Sequence, residues 1–235
     1  MGQQQQWSPE MEAAIRAAQQ RVCALHAELT RWNLVVWTAG NVSERVRGSA
    51  PDGSDDLMVI KASGVTYDQL TPDHMVVCDL DGNLLRGEHS PSSDTAAHAY
   101  VYRHLPEVGG VTHTHSSYAT AWAACGEPIP CVLTMMGDEF GGEIPIGPFA
   151  LIGDDSIGRG IVETLSNSRS RAVLMQNHGP FTVGRDAQAS VKTAAMVEEV
   201  AKTVFLARQL GTPLPIPADK IDALYQRYQH VYGQH

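Results

Sequence analysis

Two histidines separated by one residue are the first indication of chemistry in this chain. They lie in the segment Gly110-Val111-Thr112-His113-Thr114-His115-Ser116. Alternate side chains of an extended strand point to the same face, so this spacing predicts that the rings of His113 and His115 lie side by side. Two imidazoles on one strand supply half of a metal site. Alternating histidines also occur on strands that simply face solvent, so the pair needs partners elsewhere in the chain.

Two further segments place candidate ligands at the boundaries of structured regions. His178 lies in Asn177-His178-Gly179-Pro180, just after the apolar run 172–175, and Asp94 follows the pair Ser92-Ser93. An Asn-His-Gly sequence alone is an ordinary turn. Together, however, the segments favour a mononuclear metal centre with three histidine ligands, the arrangement that leaves a catalytic site open. Asp94 is predicted to begin a helix, and the sequence leaves open whether it also binds the metal.

A lysine followed by small residues predicts an anion site. Lys61-Ala62-Ser63-Gly64 ends the predicted strand 57–65, and it offers a positive charge, a hydroxyl donor and a glycine that permits close backbone approach. Ser92 and Ser93 precede a helix predicted from residue 95, whose free N–H groups favour anions. These serines could equally be simple helix caps, and the two roles are compatible. His98, one turn after Asp94, is predicted to pack or to support the ligands.

The composition excludes several classes of function. The net charge of −9 argues against a nucleic-acid-binding protein. No run of ~18 apolar residues exists, which predicts no membrane span, and residues 1–7 lack the pattern of a signal peptide. Cys23, Cys78, Cys125 and Cys131 show no C-x-x-C spacing, so we expect reduced thiols, with a Cys125–Cys131 pair as the less favoured alternative. We therefore expect a cytoplasmic protein with a small-molecule partner.

The chain is predicted to be one domain, 1–235, of mixed α and β structure with a sheet layered by helices. Residues 1–7 are expected to be flexible, and a proline-rich connector, 212–217, is expected to begin a C-terminal appendage, 212–235. Long helices are predicted at 11–29 and 187–210. Predicted strands include 34–38, 42–46 and a hairpin at 75–84, and the first two are joined by a bend at Gly40-Asn41 whose simplest interpretation is an ordinary turn.

Taken as an ordered set, five motifs resemble the class II sugar-phosphate aldolase/epimerase family, from about Leu34 to Tyr232. They are Gly40-Asn41-Val42-Ser43, Lys61-Ala62-Ser63-Gly64, Ser90-Pro91-Ser92-Ser93-Asp94, His113-Thr114-His115 and Asn177-His178-Gly179-Pro180-Phe181. The resemblance implies a three-layer α/β/α fold with a mostly antiparallel central sheet. It also implies a homotetramer with active sites between subunits, to which residues 212–235 contribute.

The resemblance further implies ligand sets for a metal and a phosphate. Zinc would bind His113, His115 and His178, with Asp94 as a possible fourth ligand, and manganese or cobalt are alternatives because imidazoles tolerate several ions. The residues implied for the phosphate pocket of a sugar phosphate are Asn41, Lys61, Ser63, Gly64, Ser92 and Ser93.

Three positions distinguish subclasses within the family. Family aldolases carry a glutamate base after the Ser-Ser pair, where this chain has Asp94, as epimerases do. Asp138 and Tyr232 are similar to the two acid/base residues of the L-ribulose-5-phosphate 4-epimerases. The implied reaction inverts C4 of a ketopentose phosphate, from L-ribulose 5-phosphate to D-xylulose 5-phosphate, by retro-aldol cleavage and re-addition. The segment 147–159 departs from the epimerase pattern.

Two alternatives stay open from the sequence. One is a class II aldolase that cleaves a phosphoketose such as L-fuculose 1-phosphate. The other is a non-enzymatic, metal-stabilised scaffold, because an enzyme fold can be reused without its activity.

Overall fold

The structure, a computed structural model, describes residues 7–230. The helices of this part of the chain are α1 (Pro9–Arg31), α2 (Thr95–His104), α3 (Ser117–Cys125), α4 (Thr134–Phe140), α5 (Ser156–Leu165), α6 (Ala187–Leu210) and α7 (Ala218–His230). The strands are β1 (Asn41–Val46), β2 (Leu57–Lys61), β3 (Met75–Asp79), β4 (Leu84–Arg86), β5 (Gly110–His113), β6 (Ile146–Gly147), β7 (Ala172–Met175) and β8 (Gly179–Gly184). Short 3-10 turns lie at Tyr67–Gln69 and Pro72–His74.

The strands form one sheet in the order β4-β3-β2-β1-β5-β8-β7-β6. All neighbouring pairs are antiparallel except β6 and β7, which confirms the prediction of a mostly antiparallel sheet. In the centre of the sheet, His113 at the end of β5 pairs with Asn41 on one side and with Phe181 on the other. The register therefore brings three of the five sequence motifs to the same end of three adjacent central strands.

Helices cover both faces of the sheet, which confirms the three-layer fold. Alternate residues of β2 divide between the faces, because side chains of a strand alternate in direction. Leu57 and Val59 pack with α1 and α6, whereas Met58 and Ile60 pack with α2 and α5. A third apolar cluster joins α3 and α4 to α6 and β7 on the first face.

The two long helices begin where their capping residues predict. The Ser8 hydroxyl accepts the N–H of Met11 at 3.2 Å at the start of α1, and the Asp186 carboxylate accepts the N–H of Ala189 at 2.7 Å at the start of α6. Each such cap stabilises a helix by ~1 kcal/mol. Trp7, the last residue of the segment expected to be flexible, lies with its ring 4.2 Å from the guanidinium of Arg86.

The prediction of a strand at 34–38 is wrong. The chain turns there: Leu34 donates its N–H to the carbonyl of Leu29 at 2.9 Å, and Trp37 has a φ of 60°. A β-branched run looks like a strand, but this one has no sheet edge to join, and β1 begins only at Asn41. Gly40, with a φ of 82°, also allows the backbone to pack closely against β5, since a Cβ there would lie 2.9 Å from the carbonyl oxygen of His113.

The C-terminal appendage packs on its own chain as far as the structure describes it. Residues 212–217 form the expected extended connector, and α7 then lies against α4. Leu224 contacts the position of Gly137 and Tyr225 that of Gly141, where added Cβ atoms would lie 2.8 Å from each side chain. Tyr232 lies outside the described residues. No helix between residues 7 and 230 has the length and apolar character needed to cross a bilayer.

Candidate metal centre and anion-binding loops

Three histidines lie close together at one end of the central strands of the sheet. One nitrogen of each of His113, His115 and His178 lies within 4.8 Å of the others, and the Nε2 atoms of His113 and His115 are 2.9 Å apart. β5 ends at His113, so His115 lies in the extended segment that leads into α3. His178 comes from the tight turn between β7 and β8, in which Asn177 has a φ of 59°. The two-residue spacing and the Asn-His-Gly turn thus bring their histidines together.

His113 is fixed in the form that binds a metal. Its Nδ1–H donates to the carbonyl of Pro180 at 3.0 Å, because a carbonyl only accepts. Nε2 then carries the lone pair, and it lies 2.9 Å from Nε2 of His115. The ring also stacks on Phe181, with centroids 4.0 Å apart and planes 12° from parallel.

Burial keeps the three imidazoles neutral. It lowers the pKa of His113 to about 3 and lowers the pKa values of His115 and His178 in the same direction. Neutral imidazole is the form that ligates metals. For Asp94, burial raises the pKa, but the imidazoles of His113 and His98 and the amide of Asn41 outweigh it, so the pKa lies below its usual range. The centre thus combines neutral nitrogen donors with an ionised carboxylate.

Buried polar atoms without a hydrogen-bond partner gather around this centre. Within residues 7–230 they are Oδ1 of Asn41, Oδ1 of Asp94, Nε2 of His98, Oγ1 of Thr120 and Nδ1 of His178. Each such atom costs ~1–3 kcal/mol when it is left unsatisfied. Their concentration beside three converging imidazoles fits a bound divalent cation with its coordinated oxygens, and the donor set fits zinc.

Asp94 is at the N-cap position of α2, as predicted, but its carboxylate makes no capping hydrogen bond. Oδ2 instead accepts the Asn41 amide at 2.7 Å, and the same amide nitrogen donates to Oγ of Ser92 at 3.0 Å. Within residues 7–230, the histidine, cysteine and carboxylate ligand atoms that form a group of three or more within 4.8 Å of one another belong to the three histidines. Direct coordination of a metal by Asp94 therefore stays a prediction.

Two loops beside the histidines carry the residues predicted to bind phosphate. The N–H of Ser63 donates to the carbonyl of Ser90 at 2.9 Å, and the N–H of Ser92 donates to the carbonyl of Lys61 at 3.0 Å. Gly64 has a φ of 72° and open space around it, and Ser63 and Ser93 are exposed. Asn41, which pairs with His113 between β1 and β5, donates its amide to Ser92 in one of these loops.

Lys61 brings a positive charge into this pocket. The residue is only 2% exposed, and burial lowers the pKa of its amine. Nζ donates to the carbonyl of Ala62 at 3.1 Å and lies 5.6 Å from the ring centre of Tyr67. A buried ammonium whose hydrogen-bond partner is neutral would be stabilised by a bound anion. The neighbouring hydroxyl groups could donate hydrogen bonds to the oxygens of a phosphate.

Asp138 lies at the contact between α4 and α7. Both of its carboxylate oxygens accept from Nη2 of Arg227, at 3.1 and 3.2 Å. The proposed partner, Tyr232, is beyond the described residues. The structure therefore brings together the predicted metal and phosphate residues, while Asp138 is half-buried, bonded to α7 and outside the histidine cluster.

Comparison with known proteins decides the family. The family described as "Class II Aldolase and Adducin N-terminal domain" matches residues 20–205. The chain belongs to this family. The description covers both class II aldolase-type enzymes and adducin. Membership therefore establishes the fold and leads us to expect an enzyme of the class II aldolase type, but it does not identify the substrate.

Solved structures similar to this class II aldolase-family chain extend over nearly its whole length. An L-fuculose 1-phosphate aldolase has a TM-score of 0.82 and 24% sequence identity, over 97% of this chain and 100% of its own. YgbL, a putative aldolase/epimerase/decarboxylase from Escherichia coli, has a TM-score of 0.74 and 24% identity, over 89% of this chain and 98% of its own. A sugar-phosphate aldolase from Thermotoga maritima has a TM-score of 0.67 and 20% identity, over 89% and 99%. At these identities the likeness concerns the fold.

Two supporting groups of the class II aldolase-type site were not predicted from the sequence. Ser43 alternates with Asn41 on β1, a pattern that could have been used, and its hydroxyl contacts Nδ1 of His98 at 2.7 Å. Glu198 of α6 accepts the N–H groups of Tyr118 and Ala119, both at 2.9 Å, and so caps α3 just after His115. No local signal marks Glu198, because the contact joins residues far apart in the chain.

Proposed function

We propose that this protein is a metal-dependent epimerase that inverts C4 of a ketopentose phosphate, interconverting L-ribulose 5-phosphate and D-xylulose 5-phosphate. The observation that supports the proposal is the cluster of three neutral imidazoles next to Asn41, which pairs with His113 in the sheet and donates its amide to Ser92 and Asp94 of a loop predicted to bind phosphate. A sugar phosphate has both features that such a pair of sites recognises, an anionic ester at one end and carbonyl and hydroxyl oxygens at the other.

His113, His115 and His178 would hold the zinc ion, with Asp94 as a further ligand. When bound, zinc supplies Lewis-acid stabilisation of the negative charge that develops on the ketose oxygens. The depressed pKa of Asp94 suits a permanently ionised group. The resemblance gives the aldolases a glutamate base at this position, so the aspartate of this chain supports an epimerase.

The remaining residues would hold the substrate and move a proton. The proton on the C4 oxygen leaves as the C3–C4 bond breaks and C4 becomes an aldehyde carbon. The aldehyde turns, C3 adds to its opposite face, and the new C4 oxygen takes up a proton. Because the proton leaves on one side and returns on the other, two acid/base groups are needed, and we assign them to Asp138 and Tyr232.

The phosphate pocket would keep the cleaved aldehyde from escaping. Its six groups are Asn41, Lys61, Ser63, Gly64, Ser92 and Ser93. An aldehyde held by its phosphate re-adds before it diffuses away, since a tethered reactant has a high effective concentration. Release of the aldehyde would instead make the protein an aldolase.

Asp138 and Tyr232 would reach the metal centre of a neighbouring subunit in a homotetramer. Within its own chain Asp138 is bonded to Arg227 of α7 and is not part of the histidine cluster, which supports this assignment. The site would then be completed only by assembly.

The alternative reaction is aldol cleavage, and its supporting observation is the similarity to L-fuculose 1-phosphate aldolase over 97% of this chain. The test is an NMR time course of zinc-loaded protein with L-ribulose 5-phosphate and, separately, with L-fuculose 1-phosphate. We expect D-xylulose 5-phosphate from the first without free aldehyde. Accumulation of an aldehyde from either substrate identifies an aldolase, and zinc binding without turnover of either favours the scaffold.

A further inference from the structure

A row of buried polar contacts joins β1 to α2 behind the metal centre. Asn41 and Ser43 face α2 from alternate positions of β1, and they contact Asp94, His98 and Tyr102, which are each one turn apart on the helix. Two strand residues span ~6.6 Å and four helix residues ~6 Å, so the two series stay in register. The contacts from strand to helix therefore form a continuous ladder that begins at Asp94.

His98 is the member of this ladder that the proposed reaction does not use. Its ring is fully buried, and Nδ1 lies 2.7 Å from the hydroxyl of Ser43. The ring meets Phe181 edge-on, with centroids 6.2 Å apart, and Phe181 stacks on His113. His98 thus lies immediately behind the metal centre. Nε2 is buried and has no hydrogen-bond partner within residues 7–230.

The hydroxyl of Ser43 is compatible with a proton on either nitrogen of His98. Ser43 also contacts the hydroxyl of Tyr102, at 2.8 Å, and it has a single proton to donate. In one arrangement Tyr102 donates to Ser43 and Ser43 donates to Nδ1, which leaves the proton on Nε2. In the other, Nδ1–H donates to Ser43 and Ser43 donates to Tyr102, which leaves a lone pair on Nε2.

The charge of Asp94 decides between the two arrangements. Asp94 lies one turn before His98 on the same face of α2, and its carboxylate is the charged group that acts on the His98 ring. Oδ2 of Asp94 accepts from Asn41, whereas Oδ1 is a buried acceptor without a partner. A lone pair on Nε2 would be repelled by this carboxylate, and an N–H would be attracted. The arrangement in which Tyr102 donates is therefore the stable one.

We propose that His98 is a positioning residue for Asp94, that it carries its proton on Nε2 while Ser43 donates to Nδ1, and that the Nε2–H group donates to Oδ1 of Asp94 through one water. Asn41 then orients one carboxylate oxygen and His98 the other. This inference rests on the proposed function in one respect only: it assumes that the carboxylate of Asp94 is a ligand of the metal. Groups that orient ligands in this way typically affect metal affinity by ~10–100-fold.

The first experiment measures the tautomer in the wild-type protein. Long-range ¹H–¹⁵N NMR of ¹⁵N-histidine-labelled protein distinguishes a protonated Nδ1 from a protonated Nε2, in the metal-free and the zinc-loaded protein. We expect His98 to carry its proton on Nε2 in both states. A proton on Nδ1 would overturn the proposal. This measurement needs no substitution and no activity, so it stands even if the proposed reaction is wrong.

The second experiment uses two amide variants that differ in reach. In His98→Gln the amide lies near the former Nε2 position and retains a donor there, whereas in His98→Asn it lies near Nδ1 and retains only the contact to Ser43. Zinc affinity is measured by competition with a chelator. We expect His98→Asn to weaken zinc binding by ~10–100-fold and His98→Gln to recover most of that loss.

Two outcomes of the affinity measurement count against the proposal. Equal weakening in both variants means that His98 only fills space, and wild-type affinity in both means that it does not orient Asp94. Failure of the epimerase assay with normal zinc binding would contradict the proposed function and leave these comparisons intact. If a variant does not fold, the tautomer of His98 measured in the wild-type protein still tests the proposal.

Discussion

The metal centre and the contact between α4 and α7 are built in different ways. At the metal centre, the side chains come from strand ends and a tight turn, and hydrogen bonds to backbone or buried groups fix their orientation. At the second surface, Asp138 and Arg227 meet through side chains that are 20% and 52% exposed. Groups that must be in place before a substrate arrives thus lie in the core, whereas the proposed proton-transfer group lies where a second subunit could reach it.

The largest expected effect comes from removing a core ligand. His113→Ala deletes a nitrogen donor, the hydrogen bond to Pro180 and the stacking on Phe181. We expect zinc content to fall from about one ion per chain to a small fraction of it, because an open three-ligand site does not tolerate the loss of one ligand. Metal analysis after dialysis measures this. His89→Ala, at an exposed histidine, is the matched control, and full zinc in His113→Ala would remove the histidines from the site.

The second effect separates the two regions. Asp138→Asn should lower turnover of L-ribulose 5-phosphate by ~100-fold or more, because a general acid/base contributes ~10²–10⁴-fold. Its zinc content should stay normal, since Asp138 lies outside the histidine cluster. Asp222→Asn, on α7 and paired with Arg169, is the control. Equal turnover in Asp138→Asn and wild type would exclude the assigned role.

Mixing the two variants tests whether the regions work across subunits. His113→Ala and Asp138→Asn are each expected to be nearly inactive, but co-expressed chains should regain part of the wild-type turnover if the metal centre of one subunit uses Asp138 of another. Mixed oligomers that stay inactive would mean that both regions belong to a site within one chain, and that the assembly proposal is wrong.

The sequence predicts the core region well and the second region poorly, for physical reasons. His113, His115 and His178 lie at ends of strands or turns that local patterns mark, so their grouping follows from the fold. The strand predicted at 34–38 fails because a β-branched run does not indicate whether a sheet edge is available, and Trp37 adopts a positive φ there. Contacts such as that of Glu198 with α3 depend on packing between distant segments, and no local pattern records them.

A smaller effect, on the pH dependence of stability, is expected from the buried residue His26. His26 donates through Nδ1 to the carbonyl of Val22 at 2.7 Å and accepts the N–H of Val42 at Nε2, at 3.1 Å, next to Asn41 on β1. Burial lowers the pKa of His26 to about 3, from the value of 6.5 that applies when the chain is unfolded. Between these values the unfolded chain binds more protons than the folded chain, so stability falls as the pH falls below 6.5.

Unfolding by denaturant between pH 7 and 5 measures this effect in zinc-free protein. One differential proton contributes a slope of ~1.4 kcal/mol per pH unit, and His26→Gln should be less stable at pH 7 with a shallower slope by up to this amount. His104→Gln, at an exposed histidine of α2, should leave the slope unchanged. Identical slopes in wild type and His26→Gln would show that His26 does not contribute to the pH dependence of stability.

The smallest effect on stability is expected at the second surface, where it should coincide with a loss of turnover. Arg227→Gln removes the charge that holds Asp138, and a partly exposed ion pair contributes only ~0–1 kcal/mol to stability. Turnover should nevertheless fall, because Asp138 loses the donor that fixes both of its oxygens. Arg169→Gln removes the ion pair that Arg169 forms with Asp222 of α7, so it should cost similar stability and leave turnover unchanged. If both variants lose turnover equally, the docking of α7 as a whole matters, and the orientation of Asp138 by Arg227 does not.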